Sequence, residues 1–66
     1  MHLVVNGTQR SVDAGTSVLD LVMSLGYGQR QVVVELNGEP VERARFADVM
    51  LSDGDRVEVV RAVAGG

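Results

Sequence analysis

The sequence lacks cysteine, lysine and tryptophan, and it contains one phenylalanine and one tyrosine. Without cysteine, disulfides, thiolate metal sites and a thiol nucleophile are excluded, which is typical of proteins in a reducing compartment. We therefore expect a cytoplasmic location. Because aromatic rings are so few, the core has to be built from aliphatic side chains.

Positive charge is also scarce, since the six cations are all arginines and the net charge is -3. These arginines are scattered from Arg10 to Arg61, whereas phosphate binding needs clustered cations. We expect no nucleic-acid partner, and an acidic protein favours partners with basic patches. Met1 to Val5 is followed at once by Asn6-Gly7, so we expect neither a signal peptide nor a membrane-spanning segment.

The first half of the chain has the pattern of a hairpin followed by a helix. Asn6-Gly7 supplies the positive φ angles of a tight turn between strands at 2–6 and 8–13. Ser17 with Asp20 matches a helix capping box, although Thr16 is an equally good cap. The apolar residues that follow share one helical face: Val18, Leu21, Val22 and Leu25.

The second half predicts further strands around an irregular segment. An extended run over 31–36 ends at another Asn-Gly pair, and 41–50 is irregular, with a short helical turn expected at 46–49. Alternating polar and apolar residues predict a last strand over 56–62. This order indicates an α+β protein of the β-grasp type, with one main helix across a mixed sheet of four to five strands.

The predicted core consists of large aliphatic residues from the strands and the helix. Its members are Leu3, Val5, Val12, Val18, Leu21, Val22, Leu25, Val34, Leu36, Leu51, Val57 and Val59.

No internal motif predicts catalysis or metal binding. Gly26-Tyr27-Gly28 closes a helix, whereas the glycines of a dinucleotide fingerprint open one. Asp53-Gly54-Asp55 lacks the distal glutamate of a calcium loop and is interpreted as a turn. His2 is the only histidine, which argues against a multi-histidine metal site or a Ser-His-Asp triad. We expect no catalytic residue, no metal ligand and no cofactor bound by this chain.

The C-terminal residues have a different character. Val63-Ala64-Gly65-Gly66 follows directly on the last predicted strand, so we divide the chain into a domain over 1–62 and a flexible tail over 63–66. Four extended residues reach about 13 Å, and the last two have no Cβ, so such a tail can enter a narrow cleft in another protein. Frayed glycines at a domain end are the alternative interpretation.

The segments Asn37-Gly38-Glu39 and Asp53-Gly54-Asp55, with the Gly-Gly ending, resemble the ThiS family of sulfur carriers in thiamine biosynthesis. The resemblance covers the whole chain and includes Gly15-Thr16-Ser17-Val18 before the helix. The family has a ubiquitin-like β-grasp fold. Two departures lie at Pro40, which precedes Val41 instead of following it, and at Phe46, where tryptophan is frequent in the family.

The resemblance implies a non-enzymatic carrier, a monomer when free, whose Gly66 carboxylate is activated by partner enzymes. A ThiF-type, E1-like adenylyltransferase would use ATP and its metal ion to adenylate Gly66. Sulfur relayed from a cysteine desulfurase would then give a thiocarboxylate, and thiazole synthase of the ThiG type would accept the sulfur. The tail, Val63 to Gly66, would enter the partner's active site.

Partner contacts are expected near the tail, at Val60 and Ala62 on the outer side of the last strand and at Phe46. Ordinary packing under the segment 41–50 is the alternative for these residues.

Three alternatives to this function remain open from the sequence. A molybdopterin-type sulfur carrier would use the same tail chemistry. A ubiquitin-like modifier would attach Gly66 to other proteins, although without lysine it cannot form lysine-linked chains of itself. A noncovalent binding module would not need the glycines.

Overall fold

The computed structural model describes residues 1–62, and the predicted tail at 63–66 lies outside the described residues. Two short 3₁₀ turns, Gln29–Gln31 and Arg43–Arg45, interrupt the second half of the chain. The regular elements are β1 His2–Val5, β2 Thr8–Ser11, α1 Val18–Ser24, β3 Val32–Leu36, β4 Glu39–Val41 and β5 Arg56–Arg61.

The strands form one five-stranded sheet in the order β2-β1-β5-β3-β4. β5 lies at the centre, parallel to β1 and antiparallel to β3, so the sheet is mixed. The buried side chains of α1 join those of the sheet in one core cluster, which places the helix across one face. The predicted β-grasp architecture is confirmed.

Both Asn-Gly pairs form hairpin turns, of which the one at Asn6-Gly7 was predicted, whereas Asn37-Gly38 was predicted only to end a strand. Asn6 and Gly7 have φ values of 50° and 82°, and Asn37 and Gly38 have 52° and 85°. Positive φ at both central residues is the feature of a type I′ turn, whose twist matches that of the flanking strands.

The side chain of Asn6 also extends the sheet. Its Oδ1 accepts a hydrogen bond from the Val59 N–H at 2.7 Å, and its Nδ2 donates to the Val59 carbonyl at 3.1 Å. The backbone N–H of Asn6 donates to the Val57 carbonyl at 2.9 Å. Asn6 therefore continues the pairing of β1 with β5 toward the C-terminal end of β5.

Asn6→Ala is expected to lower the free energy of unfolding by about 2–3 kcal/mol, because it leaves backbone groups of Val59 unpaired and puts alanine at positive φ. Asn37→Ala is the matched control. It has the same backbone conformation, but its bonds to Asp55 and Arg56 are solvent-exposed. Urea unfolding of both variants measures the difference, and an equal loss would contradict the anchoring role of Asn6.

Helix α1 begins with the predicted capping box. The Ser17 hydroxyl accepts from the Asp20 N–H at 3.0 Å, and the Asp20 carboxylate accepts from the Ser17 N–H at 3.1 Å. Of the two candidate caps, Ser17 is therefore the one used, and Thr16 instead donates its hydroxyl to the Asp13 carbonyl.

The segment expected to be irregular is more ordered than the sequence predicted. Glu39–Val41 forms β4 at the sheet edge, where Pro40 is tolerated because an edge strand leaves one side unpaired. The predicted helical turn at 46–49 overlaps turn residues at 46–48, where the Asp48 and Val49 N–H groups donate to the Arg45 carbonyl, and a 3₁₀ turn at Arg43–Arg45 precedes them. Phe46 ends this turn, with its N–H donating to the Arg43 carbonyl, and its ring enters the core.

The core agrees with the prediction at most positions. Val12, Leu25 and Leu36 are only partly buried, since they pack at its margin. Phe46 and Val32 were missed, and both are almost completely buried. The buried hydrophobic residues are Leu3, Val5, Val18, Leu21, Val22, Val32, Val34, Phe46, Leu51, Val57 and Val59.

Candidate functional site at the base of the tail

The predicted tail leaves from the most firmly held strand of the sheet. β5 is paired on both sides, with β1 and with β3. Just beyond its end, the Ala62 N–H donates to the Gln31 carbonyl at 2.7 Å. The backbone is therefore fixed up to Ala62, four residues before Gly66. Val63, Ala64, Gly65 and Gly66, the residues expected to enter a partner, lie outside the described part of the chain.

Two exposed valines lie beside this exit on the sheet face opposite the helix. Val33 of β3 and Val60 of β5 are directly opposite each other in the ladder. Their side chains are 50% and 58% exposed. Because neighbours along a strand alternate between faces, both point away from the core valines Val34 and Val59. The structure thus places an apolar pair next to the start of the tail, which we call the outer valine pair.

Two carboxylates follow the outer valine pair along the same face. Glu35 and Glu58 are opposite each other in the ladder and both are exposed. Like charges in direct cross-strand register repel each other. Arg56, two residues before Glu58 on the same face, is exposed as well, so this part of the outer face carries charge of both signs.

The predicted partner residues have different outcomes. Val60 is exposed as expected, and Ala62 is partly buried at the end of β5. Phe46 is 1% exposed and is the largest fully buried side chain of the described residues. The prediction that Phe46 contacts a partner is wrong, because its ring is buried in the hydrophobic core. Val33 was missed, although the strand register identifies it once the pairing of β3 with β5 is known.

Arginine and glutamine side chains link the segment 29–32 to the 3₁₀ turn at Arg43–Arg45. Arg43 donates from Nε to the Gln29 carbonyl and from Nη2 to the Val32 carbonyl, both at 3.1 Å. In the other direction, Gln29 Nε2 donates a hydrogen bond to the Arg43 carbonyl at 2.6 Å. The two bonds between Gln29 and Arg43 join the two 3₁₀ turns across a sequence separation of 14 residues.

A surface cleft of about 270 Å³ lies at the end of β5, directly before the predicted tail. Among the described residues, it is lined by Arg30, Gln31, Arg61 and Ala62. Arg30 also borders a second cleft, which it shares with Gln29, Arg43 and Ala44. The arginines that are scattered in the sequence are therefore partly gathered by the fold, and sequence spacing gave no sign of it.

The acidic turn has a structural role. Asp53 Oδ1 accepts from the His2 N–H at 2.7 Å, and Asp55 accepts from the Ser52 N–H and from Asn37 Nδ2. These bonds hold the start of β5 against β1 and against the hairpin formed by β3 and β4. Within residues 1–62 there is no cluster of three or more potential metal ligands, and no helix is long and apolar enough to cross a membrane.

Known proteins share both the sequence and the fold. The model of the ThiS family matches residues 3–66. The sulfur carrier protein ThiS of Bacillus subtilis is 39% identical over 54 residues, which cover 82% of this chain and 80% of that protein. The crystal structure of the thiamine biosynthesis protein ThiS from Geobacter metallireducens superimposes with a TM-score of 0.84, at 40% identity and full coverage of both chains.

A longer relative is named as a thiazole synthase and not as a sulfur carrier. A thiazole synthase of Paramagnetospirillum magneticum is 41% identical over all 66 residues, and the chain spans only 20% of that protein's length. The family match covers residues 3–66, and a solved ThiS structure shares the fold of this chain. The chain belongs to the ThiS family.

Proposed function

We propose that this chain is a sulfur carrier of thiamine biosynthesis that holds sulfur as a thiocarboxylate on Gly66. The observation that carries the proposal is the family match, which extends through the Gly-Gly sequence to residue 66. The structure adds support, because the backbone is anchored by β5 and by the Ala62–Gln31 hydrogen bond immediately before that sequence. A rigid base and a tail without side chains at its end suit delivery of one group into a partner's active site.

The chemistry requires a free carboxylate at Gly66 and an activating enzyme. A carboxylate resists nucleophiles, so a ThiF-type adenylyltransferase would transfer AMP from ATP to it and release pyrophosphate. The acyl adenylate has a good leaving group, so a persulfide supplied through a cysteine desulfurase would displace AMP to give an acyl disulfide. A thiol would then reduce its S–S bond and release the thiocarboxylate. ATP and its metal ion belong to the partner, and this chain acts as the carrier that the partners modify. The absence of cysteine means that no internal thiol competes for the activated end.

Thiazole synthase is the proposed acceptor of the sulfur. The thiazole synthase of P. magneticum contains a segment similar to the whole of this chain within a protein about five times as long. Because a carrier-like segment is joined to an enzyme in one polypeptide, we infer that such a carrier and that enzyme take part in the same reaction. The outer valine pair, beside the tail exit, is the proposed contact surface for the enzymes that receive the tail.

Val60→Asp is expected to weaken binding of the adenylyltransferase about tenfold or more, because a charge would be buried against an apolar partner surface. The free energy of unfolding should change by less than about 1 kcal/mol, since Val60 is exposed. Met50→Asp is the matched control, because Met50 is 56% exposed and its segment pairs with the N-cap of the helix. Titration calorimetry compares the two, and equal affinities would remove the outer valine pair from the interface.

Complementation tests the pathway. Expression of this chain should restore growth without thiamine in a bacterium that lacks its own thiamine sulfur carrier, and the variant without Gly65-Gly66 should not. Rescue of a strain that lacks the small subunit of molybdopterin synthase instead would favour the molybdopterin alternative. Isopeptide adducts of Gly66 on cellular proteins would favour a modifier, and rescue by the truncated variant would favour a noncovalent module.

A further inference from the structure

We propose that the cleft at the tail base, between Arg30 and Arg61, receives acidic side chains of the partner protein and holds the carrier at the entrance of the partner's active site. We call it the arginine cleft. The proposal rests on the proposed function, because it supposes that a partner receives the tail. It adds an electrostatic docking site that is separate from the outer valine pair.

The walls of the arginine cleft are fixed by hydrogen bonds. Arg43 holds the segment 29–32 through two carbonyl oxygens, and the Ala62 N–H ties the end of β5 to the Gln31 carbonyl. Arg61 is paired in the ladder with Val32, the last residue of this segment. Arg30 and Arg61 are therefore exposed side chains on a rigid base. Less entropy is lost when such groups bind than when they extend from a mobile loop.

Charge decides the class of ligand. The described residues that line the cleft include two guanidinium groups and no carboxylate, although the whole chain has a net charge of -3. Arginine presents several donors in a planar fork that matches a carboxylate or a phosphate. The ligand is therefore an anion, and in a protein partner that anion is aspartate or glutamate.

The distance from Arg61 to Gly66 distinguishes two candidate anions, a carboxylate of the partner protein and a phosphate of its ATP. Arg61 lies five residues before Gly66, so an extended tail places the reacting carboxylate about 16 Å or more beyond Arg61. The α-phosphate that reacts with Gly66 would lie at the far end of the tail. The arginine cleft would therefore lie outside the partner's active site, at the entrance through which the tail passes. Carboxylates of the partner's surface are favoured over the phosphates of its ATP.

Charge reversal tests the arginine cleft. Arg30→Glu and Arg61→Glu are compared with Arg10→Glu, which makes the same charge change on β2 at the far edge of the sheet. Direct binding of each variant to the adenylyltransferase and to thiazole synthase is measured without ATP, and the KM and kcat for the carrier are then measured in adenylation. Each cleft variant should bind at least one of the enzymes about tenfold more weakly, and Arg10→Glu should bind like the wild type. In adenylation KM should rise and kcat should stay unchanged, because the arginine cleft does not touch the reacting atoms.

The outcomes separate this proposal from the proposed function. Wild-type protein that binds its partners but is not adenylated would refute the proposed function, and the binding of the variants would still decide the role of the arginine cleft. If the wild type is adenylated and the cleft variants bind as strongly as Arg10→Glu, the proposed role of the arginine cleft is refuted and the proposed function is not. Binding of neither enzyme to the wild type would refute both.

A second measurement distinguishes a carboxylate partner from a phosphate ligand. Sodium phosphate and ATP are titrated separately into the free protein, and the amide resonances of Gln31 and Ala62 are followed by NMR. No shift at millimolar ligand supports docking of a protein carboxylate, since free anions are bound weakly by an open cleft. Saturable shifts with either ligand would overturn the assignment in favour of a phosphate site. In the complex, replacing the partner's acidic residue with arginine should restore binding to Arg61→Glu.

Discussion

Phe46→Ala is expected to lower the free energy of unfolding by about 3–5 kcal/mol, because it removes the largest side chain from a packed core. The ring is 1% exposed and belongs to the same cluster as the helix and strand residues. A domain of this length has only about 3–10 kcal/mol of stability in total. Much of the variant should therefore be unfolded at physiological temperature, and sulfur transfer would be lost through unfolding.

Urea unfolding followed by far-UV circular dichroism measures this loss. Tyr27→Ala is the matched control, since Tyr27 is the only other aromatic residue and is only partly buried against the core. Its loss should be clearly smaller. A cost below about 1 kcal/mol for Phe46→Ala would contradict its role in the core. It would also reopen the possibility that Phe46 contacts a partner.

Deletion of Gly65-Gly66 is expected to abolish adenylation and to leave the fold intact. The expected loss of activity is complete within detection, because the new terminal carboxylate, on Ala64, falls about 7 Å short of the position that the Gly66 carboxylate reaches. The free energy of unfolding should change by less than about 0.5 kcal/mol, since the core lies within residues 1–62. ATP–pyrophosphate exchange by the adenylyltransferase gives the readout.

Extension of the chain provides a matched control for the deletion. A serine added after Gly66 keeps every native residue but blocks the proposed carboxylate with a peptide bond. It should be as inactive as the deletion, and proteolytic removal of the extra residue should restore exchange. Activity of the extended protein would show that the carboxylate of Gly66 is not the reacting group.

The hairpins and the helix could be predicted from the sequence because their signals are local. Asn6-Gly7 and Asn37-Gly38 carry the conformational preference of their turns, and Ser17 with Asp20 carries both halves of the capping box. The apolar spacing after Ser17 identified the buried face of the helix. These features depend on residues within a few positions of each other, so one sequence is sufficient to identify them.

The path of residues 39–50 and the contact surfaces depend on long-range packing. Phe46 lies in a segment without helical or strand periodicity, so the sequence pattern did not indicate its burial. Pro40 has no backbone N–H to donate, yet the edge position of β4 accepts it. Arg30 and Arg61 are far apart in sequence and meet only because the segment before β3 lies beside the end of β5.

Intact mass spectrometry tests sulfur carriage by Gly66 most directly. The mature protein, with Gly66 confirmed as its last residue, is incubated with the adenylyltransferase, ATP and hydrosulfide and is then fragmented. The supporting result is a gain in mass equal to the exchange of one oxygen for sulfur, located on Gly66 and dependent on ATP. An unchanged mass, or sulfur located on any other residue, would contradict sulfur carriage by Gly66.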